Sequence, residues 1–334
     1  MRGSITLEEL TVSFNGVRVL HGIDLAIGPG ETLGLVGESG SGKSVTWLAA
    51  LGLLPPKAKV SGRVMLNDRN LLDMPDSKFT GIRGGRIAMI FQDPVSALNP
   101  MLTVKRQIGE TLALHRGLSG AAIKAEAKRL LDLVGIPDAE RRLNAYPHEF
   151  SGGQNQRVMI AMALAGQPDL LVADEPTTAL DVTIQAQILD LLALTQRETG
   201  MALVLISHDL GVVSQVCDRV AVMYAGRIVE EAPVERLFEH PAHPYSQGLM
   251  GSLPAIDGPR RRLTAIGGTV PDASSLPAGC SFAPRCAFAE TQCHEQIPLL
   301  AGIGRDHSVA CLVSEAQPPA AIRYSRQKEQ RIEA

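Results

Sequence analysis

A short glycine- and serine-rich stretch, GESGSGKS at residues 37–44, separates two apolar runs of the chain. It matches the pattern G-x-x-x-x-G-K-[ST]. Glycines in such a loop let successive backbone N–H groups turn towards a phosphate, and a helix that follows presents its positive end to the same anion. The lysine of the pattern reaches the β/γ phosphates, and its serine holds Mg²⁺. The stretch therefore predicts a site for nucleotide phosphates at Gly37, Ser39, Gly40, Ser41, Gly42, Lys43, Ser44 and Val45.

The acidic pair Asp174 and Glu175 ends a second apolar run, LLVADE. Ligands of open α/β sheets bind at the carboxyl ends of the strands, which is where this pair is expected. Asp174 suits the Mg²⁺ shell, and Glu175 suits polarising a water for in-line attack. A plain acidic helix cap explains the pair equally well on its own, and only the glycine loop favours the catalytic interpretation.

The composition narrows the classes of function. The 334 residues exceed what one compact core usually holds, so two or more units are expected. A net charge of −3 and an aromatic content of 4% give no reason to expect nucleic-acid binding. No apolar run approaches the roughly 20 residues of a membrane span, and no signal segment is visible. We therefore expect a soluble, cytosolic chain that reaches a membrane only through a partner.

Alternation of strand and helix patterns predicts the fold class. Nearly all-apolar strands within ETLGLVGESG, GRIAMIFQD, DLLVADEP and MALVLISHD alternate with helical patterns, which indicates an α/β protein with a parallel sheet covered on both faces. The N-terminal sequence predicts short strands, and AVMYAGRIVEEA predicts a hairpin with Ala-Gly at its turn. The Pro- and Gly-rich sequence after residue 250 predicts little regular structure.

The stretch FSGGQNQR at residues 150–157 resembles the signature of the ATP-binding-cassette (ABC) ATPases, usually LSGGQ. Phe150 replaces the usual Leu, and Asn155 stands where many members carry Arg. The resemblance covers about residues 4–240. Its other motifs follow in the family's order at Phe14, at Gln92 in IFQDP, at Ala179-Leu180-Asp181, and at His208 in LISHD.

This resemblance implies a nucleotide-binding domain at 1–250, with a RecA-like parallel sheet, an antiparallel N-terminal subdomain and a helical subdomain at about 96–158. It implies catalysis by Lys43, Glu175 and His208, and Mg²⁺ held through Ser44, Gln92 and Asp174. Phe14 would stack on adenine. The signature and the motif Ala179-Leu180-Asp181, the D-loop, would complete the ATP site of a partner cassette through Ser151, Gly152, Gly153, Gln154 and Asp181.

Each of these assignments has a purely structural alternative. Ser151 and the glycines after it could simply cap a helix, and His208 could be a satisfied histidine at a strand end. Gln92 could be a polar turn residue, and Phe14 could belong to the core.

Further stretches are similar to the ATPases of dipeptide and oligopeptide importers, namely FQDPVSALNP, HPAHPYSQGLMGSLP and GCSFAPRC. That resemblance implies a subunit at the cytoplasmic face of the inner membrane. Its partners would be a second, paralogous ATPase, two transmembrane permeases and an extracytoplasmic peptide-binding protein. Related members handle nickel or glutathione. A soluble ABC ATPase of translation or DNA repair and a degenerate regulatory cassette are further alternatives.

Four cysteines lie in the extension at 251–334: Cys280, Cys286, Cys293 and Cys311. Disulfides are not expected in a cytosolic chain, and four thiolates suit an iron–sulfur cluster or zinc. Their spacing is looser than that of common zinc sites. Some peptide-importer ATPases that this chain resembles carry a [4Fe–4S] cluster on such a tail, while zinc and unliganded thiols remain alternatives. Cys217, in a helical segment, is expected in the core.

Overall fold

The structure is a computed structural model that describes residues 4–178, 181–252 and 266–313. Its strands are β1 (Ile5–Phe14), β2 (Val17–Ile27), β3 (Thr32–Val36), β4 (Ala58–Leu66), β5 (Arg69–Asn70), β6 (Ile87–Ile90), β7 (Leu170–Asp174), β8 (Ala202–Ser207), β9 (Arg219–Tyr224), β10 (Arg227–Pro233), β11 (Ala301–Gly304) and β12 (His307–Val309). Its helices are α1 (Lys43–Ala50), α2 (Asp76–Phe79), α3 (Pro94–Ala97), α4 (Val104–Arg116), α5 (Gly120–Leu133), α6 (Ala139–Arg142), α7 (Gly152–Ala165), α8 (Val182–Thr199), α9 (Leu210–Val216), α10 (Val234–Glu239), α11 (Pro244–Gly251) and α12 (Thr291–Glu295).

The N-terminal strands form an antiparallel sheet with the order β2-β1-β4-β5. Asn15 and Gly16 join β1 to β2 with φ of 51° and 85°, the two left-handed positions of a tight hairpin turn. Residues on β1 alternate between buried and less buried positions, so one face of this sheet packs on the core.

The larger sheet has eight strands in the order β11-β12-β10-β9-β3-β8-β7-β6. The five strands β9, β3, β8, β7 and β6 are neighbours in this order and pair in parallel, as the apolar runs predicted. Side chains of β7 and β8 alternate between two buried clusters, one on each face of the sheet: Leu171 and Leu205 face the helices, whereas Val172 and Ile206 face α1 and the N-terminal sheet. The α/β fold class is therefore confirmed, and the residues between β6 and β7 form helices.

The carboxyl-terminal residues add to this sheet, so the prediction of little regular structure after residue 250 was wrong in part. β12 pairs antiparallel with β10, and β11 pairs with β12. Oε1 of the buried Glu230 on β10 and Nε2 of the buried His307 on β12 lie 2.8 Å apart. Neither short strand carries an alternating pattern, and the pairing therefore left no signal in the local sequence.

The hairpin predicted at 221–232 is confirmed: β9 and β10 pair antiparallel, with Ala225 and Gly226 both at positive φ in the turn. Within the described residues, no helix has both the length and the apolar character needed to cross a membrane.

Candidate nucleotide site

The glycine loop connects β3 to α1 in a conformation that requires its glycines. Gly37 has φ 152°, and a Cβ there would lie 2.1 Å from the Met223 carbonyl oxygen. Gly42 has φ 104°, and its Cβ would lie 2.7 Å from Leu20. The first turn of α1 has no acidic side chain that would compete for its N–H groups. The loop is thus a strained turn that leaves a helix N-terminus available to an anion.

Lys43 is buried at the start of this helix. Its Nζ donates to the carbonyl oxygens of Gly37 at 2.7 Å and Glu38 at 3.0 Å. Burial lowers the pKa of Lys43, while the nearby charges of Glu175 and Asp174 act in the opposite direction. The ammonium group therefore already lies inside the loop, beside carbonyl oxygens that a phosphate can replace.

Asp174 ends β7 with a buried side chain, and the Ser44 hydroxyl donates to its carboxylate. Burial raises the pKa of Asp174 and the charge of Glu175 raises it further, whereas the Ser44 hydrogen bond and Lys43 lower it. A carboxylate in this setting is stabilised by a cation. The oxygens of Ser44 and Asp174 match the donors that Mg²⁺ takes at phosphate sites.

Glu175 is the point where separate elements converge. Gln92 Nε2 and Thr178 Oγ1 both donate to Glu175 Oε2 at 2.9 Å, and His208 Nδ1 lies 3.2 Å from Oε1. Glu175 has φ 46°, a strained value for a non-glycine residue, and its N–H donates to the Ile206 carbonyl at 3.0 Å. The neighbouring side chains thus fix a single orientation of the carboxylate.

Gln92, Glu175 and His208 were predicted from three separate motifs, and in the structure their side chains are in contact. Thr178 was not predicted. Its only signal was its place three residues after the glutamate, which is too common a spacing to single it out.

A cavity of about 290 Å³ lies over the glycine loop. Phe14, at the end of β1, lines it together with Val19 and Ala225. The other lining residues are Ser39, Gly40, Gly42, Lys43, Ser44, Val45, Gln92 and Glu175, and, from the carboxyl-terminal extension, Pro271, Ala273 and Leu276. The last three were not predicted, because nothing in a Pro- and Ala-containing turn identifies the pocket that it borders.

The signature residues lie at the start of α7 and do not line this pocket. Ser151 caps the helix: its Oγ accepts from Gln154 N at 3.3 Å, and Gln154 Oε1 accepts from Ser151 N at 3.1 Å. Both Ser151 and Gly152 are exposed. Asp181 likewise caps α8, accepting from Ile184 N at 3.0 Å. Ala179 and Leu180 of the same predicted motif lie outside the described residues.

Asn155 has a structural explanation in the chain itself. It is buried, and its Nδ2 donates to the Pro147 carbonyl at 3.0 Å, which fixes the turn that precedes α7. The Phe150 ring is buried beneath the Arg142 guanidinium. Both departures from the usual signature therefore occupy packed positions around its helix.

The four cysteines of the extension line one small apolar cavity beside Phe282 and Phe288. Cys280 and Cys293 approach closely, because Cys280 N donates to the Cys293 carbonyl at 2.8 Å. Burial raises the thiol pKa of Cys280, Cys286 and Cys311. Among residues 4–178, 181–252 and 266–313, no group of His, Cys, Asp and Glu has an arrangement that could hold a metal ion. The [4Fe–4S] cluster therefore stays a prediction. Cys217 lies in the core, as expected.

Known proteins resemble both parts of the chain. The model of the ABC transporter family matches residues 20–178, and that of the oligopeptide/dipeptide transporter C-terminal region matches residues 229–293. A putative peptide import ATP-binding protein of Brucella abortus is 50% identical over 289 residues, which cover 86% of this chain and 87% of that protein. The dipeptide transport ATP-binding protein DppD of Bacillus subtilis is 48% identical over 328 residues, covering 96% and 98%.

A solved structure is similar over the cassette. The dimeric post-hydrolysis state of the ATP-binding cassette MJ0796, bound to ADP and Pi, superposes with a TM-score of 0.62 at 31% identity. The match covers 69% of this chain and 98% of that one.

Proposed function

Since the chain belongs to the ATP-binding subunits of ABC transporters, we propose that it hydrolyses ATP to power the import of di- and oligopeptides. The observation that carries the chemical part is the convergence of Gln92, Thr178 and His208 on Glu175, beside Lys43 and Asp174. The similarity to peptide import proteins over nearly the whole chain carries the choice of cargo.

Phosphoryl transfer asks mainly for positioning and charge stabilisation. Lys43 exchanges the Gly37 and Glu38 carbonyls for β/γ-phosphate oxygens, and the N–H groups of the loop surround the same phosphates. Ser44, Asp174 and Gln92 would hold Mg²⁺, which would supply positive charge to the phosphates. Glu175 accepts a proton from the attacking water, and His208 hydrogen-bonds the γ-phosphate. Phe14 borders the pocket where adenine stacks.

Two cassettes would share each ATP. The exposed N-terminus of α7 offers N–H groups that no residue of this pocket uses, and such a terminus binds anions. We assign Ser151, Gly152, Gly153, Gln154 and Asp181 to the ATP of the partner cassette. The partner is proposed to be a paralogous ATPase, because the importers that this chain resembles pair two different ATP-binding subunits.

The remaining partners follow from the same family. Two transmembrane permeases would bind the cassettes at the cytoplasmic face of the inner membrane, and an extracytoplasmic peptide-binding protein would deliver the cargo to them. The chain would then be a peripheral subunit, with a nucleotide-binding domain at 1–250 and an extension at 251–334.

Uptake in cells tests the cargo. A strain lacking this chain should lose uptake of radiolabelled di- or oligopeptides and regain it with the wild-type gene, while nickel and glutathione uptake stay unchanged. Loss of nickel or glutathione uptake alone would instead identify that solute as the cargo. Failure of the chain to co-purify with integral membrane proteins, together with normal uptake of all solutes, would contradict the importer and leave the soluble ATPase and the regulatory cassette as alternatives.

We further propose that Cys280, Cys286, Cys293 and Cys311 hold a [4Fe–4S] cluster. All four thiols border one apolar cavity, which supports a shared ligand. Zinc, which four thiolates would hold at about 2.3 Å, stays the alternative, and among the described residues no group is arranged to hold a metal ion. The thiolates of all four cysteines would hold such a cluster. Its role there would be structural or sensory and not hydrolytic, since a shared metal centre would tie together the irregular loops of the extension.

Cys286→Ser provides the test. Anaerobically purified wild-type chain should contain iron and absorb broadly near ~400 nm, as thiolate-ligated clusters do. The variant should lose both signals and become more sensitive to proteolysis in the extension, while ATP still binds. Cys217→Ser is the matched control and should keep the colour, since Cys217 lies apart in the core. Colourless wild-type protein with stoichiometric zinc, or with four freely alkylated thiols, would contradict the cluster.

A further inference from the structure

The carboxyl-terminal extension reaches the nucleotide pocket of its own chain. Pro271, Ala273 and Leu276 line the same cavity as Phe14 and the glycine loop. Asp272 stabilises the turn between them by accepting from Ser274 N at 2.8 Å. These contacts place a small apolar surface at the edge of a pocket whose other residues suit phosphates, Mg²⁺ and a base.

Arg285 fastens this segment to the cassette. Its Nε donates to the Gly267 carbonyl at 2.8 Å, just before the lining residues in the chain. Its two terminal nitrogens donate to the two carboxylate oxygens of Glu38 at 2.9 and 3.0 Å. Glu38 is a residue of the glycine loop. One guanidinium thus bonds both the backbone that leads into the lining residues and the loop that holds the phosphates.

The surroundings make this ion pair a fixed one. The Arg285 side chain is only 6% exposed, and its guanidinium lies over the rings of Tyr224 and Phe282. The backbone N–H of Glu38 donates to the Tyr245 hydroxyl at 2.8 Å. A two-pronged pair with little exposure holds a defined geometry, and removing one partner leaves the other charge uncompensated.

We propose that the extension is part of the nucleotide site: Pro271, Ala273 and Leu276 form an apolar wall for the base and ribose of ATP, and Arg285 is the positioning residue that holds this wall against the glycine loop through Glu38. The inference rests on the nucleotide site proposed above. It adds a contact to the nucleoside, made by the same chain and separate from the phosphate contacts of Lys43.

Two probes separate the wall from the phosphate site. Tripolyphosphate carries the phosphates of ATP without base or ribose. For the full chain, Leu276→Ala should weaken ATP binding by about threefold to tenfold, because an apolar contact is lost, and leave tripolyphosphate binding unchanged. Leu299→Ala is the matched control, since Leu299 is an exposed residue of the same extension, and it should bind both probes as the wild type does.

Arg285→Met tests the positioning. It should raise the Kd for ATP by about tenfold and increase hydrogen exchange of the amides at 266–276, and ATP should no longer protect them. Glu38→Gln should act similarly, and the double variant should show less than the sum of the two effects, because the residues act as one pair. Arg285→Lys keeps the charge but not the fork, so it should restore binding only in part. Thermal unfolding of each variant separates local loosening from loss of the fold.

ATP binding by the wild-type chain and by Lys43→Ala distinguishes failure of the apolar wall from failure of the nucleotide site itself. If wild-type chain does not bind ATP, or Lys43→Ala binds it normally, the proposed function fails. If Lys43→Ala weakens binding but Leu276→Ala and folded Arg285→Met bind ATP as the wild type does, the wall is not part of the site. Tighter ATP binding by these two variants would also overturn the proposal, because the segment would then obstruct the pocket.

Discussion

Glu175→Gln is expected to lower ATP hydrolysis at this site by about 10²- to 10⁴-fold while ATP binding persists, because the amide keeps the shape of the side chain but cannot accept a proton. Gln92, Thr178 and His208 hold the carboxylate in one orientation, so the change removes a base that is already positioned. Single-turnover hydrolysis and equilibrium binding of ATP, measured on the assembled transporter, report the two effects separately. The variant should accumulate with ATP bound.

Two further variants, Lys43→Ala and Thr178→Val, serve as comparisons for Glu175→Gln. Lys43→Ala should weaken ATP binding itself, because it removes a charge from the phosphates in every state. Thr178→Val should reduce hydrolysis less than Glu175→Gln does, because it removes only one hydrogen bond to the carboxylate. Near-normal turnover by Glu175→Gln, with any contribution of the partner's own ATP site subtracted, would contradict the assignment of Glu175 as the base.

Gly152→Asp is expected to abolish ATP-driven closure of the two cassettes and peptide uptake, while the isolated chain binds ATP normally. A Cβ at Gly152 meets nothing within 4 Å in this chain, and an acid in the first turn of a helix favours its fold. In the closed pair, however, the new carboxylate would face the γ-phosphate of the partner's ATP, and the two negative charges would repel each other. Light scattering with Mg-ATP measures closure, and vesicle uptake measures transport.

The matched control is Gly302→Asp, which adds the same charge at an exposed glycine of β11 whose Cβ also meets nothing within 4 Å. It should close and transport as the wild type does. If instead Gly152→Asp costs the isolated chain as much ATP affinity as Lys43→Ala, the signature would contact the chain's own nucleotide, and the shared-site arrangement would be wrong.

The phosphate loop and the acidic pair were predictable because their chemistry depends on residue type at fixed local spacing. Gly37 and Gly42 adopt backbone angles that other residues resist, and Asp174 and Glu175 follow an apolar strand directly. The parallel sheet was equally accessible, because buried strands read as continuous apolar runs.

Contacts between distant parts of the chain could not be predicted in the same way. Arg285 and Glu38 are 247 residues apart, and neither belongs to a pattern that names a partner. β12 joins β10 through a buried His307–Glu230 pair, although its three residues show no strand pattern. The burial of Asn155 also depends on the Pro147 turn, which a single sequence does not place. Such features arise from tertiary packing, which overrides local preference.

Coupling of ATP hydrolysis to peptide import is tested by peptide uptake into proteoliposomes that contain this chain, its partner ATPase and the permeases, with ATP hydrolysis measured in the same vesicles. A peptide-loaded binding protein should stimulate hydrolysis, and peptide should accumulate only when Mg-ATP is on the side of the cassettes. Both signals should fall together when Glu175→Gln replaces the wild-type chain. Peptide accumulation that continues at the wild-type rate with the Glu175→Gln chain, or hydrolysis that never responds to peptide, would contradict this coupling.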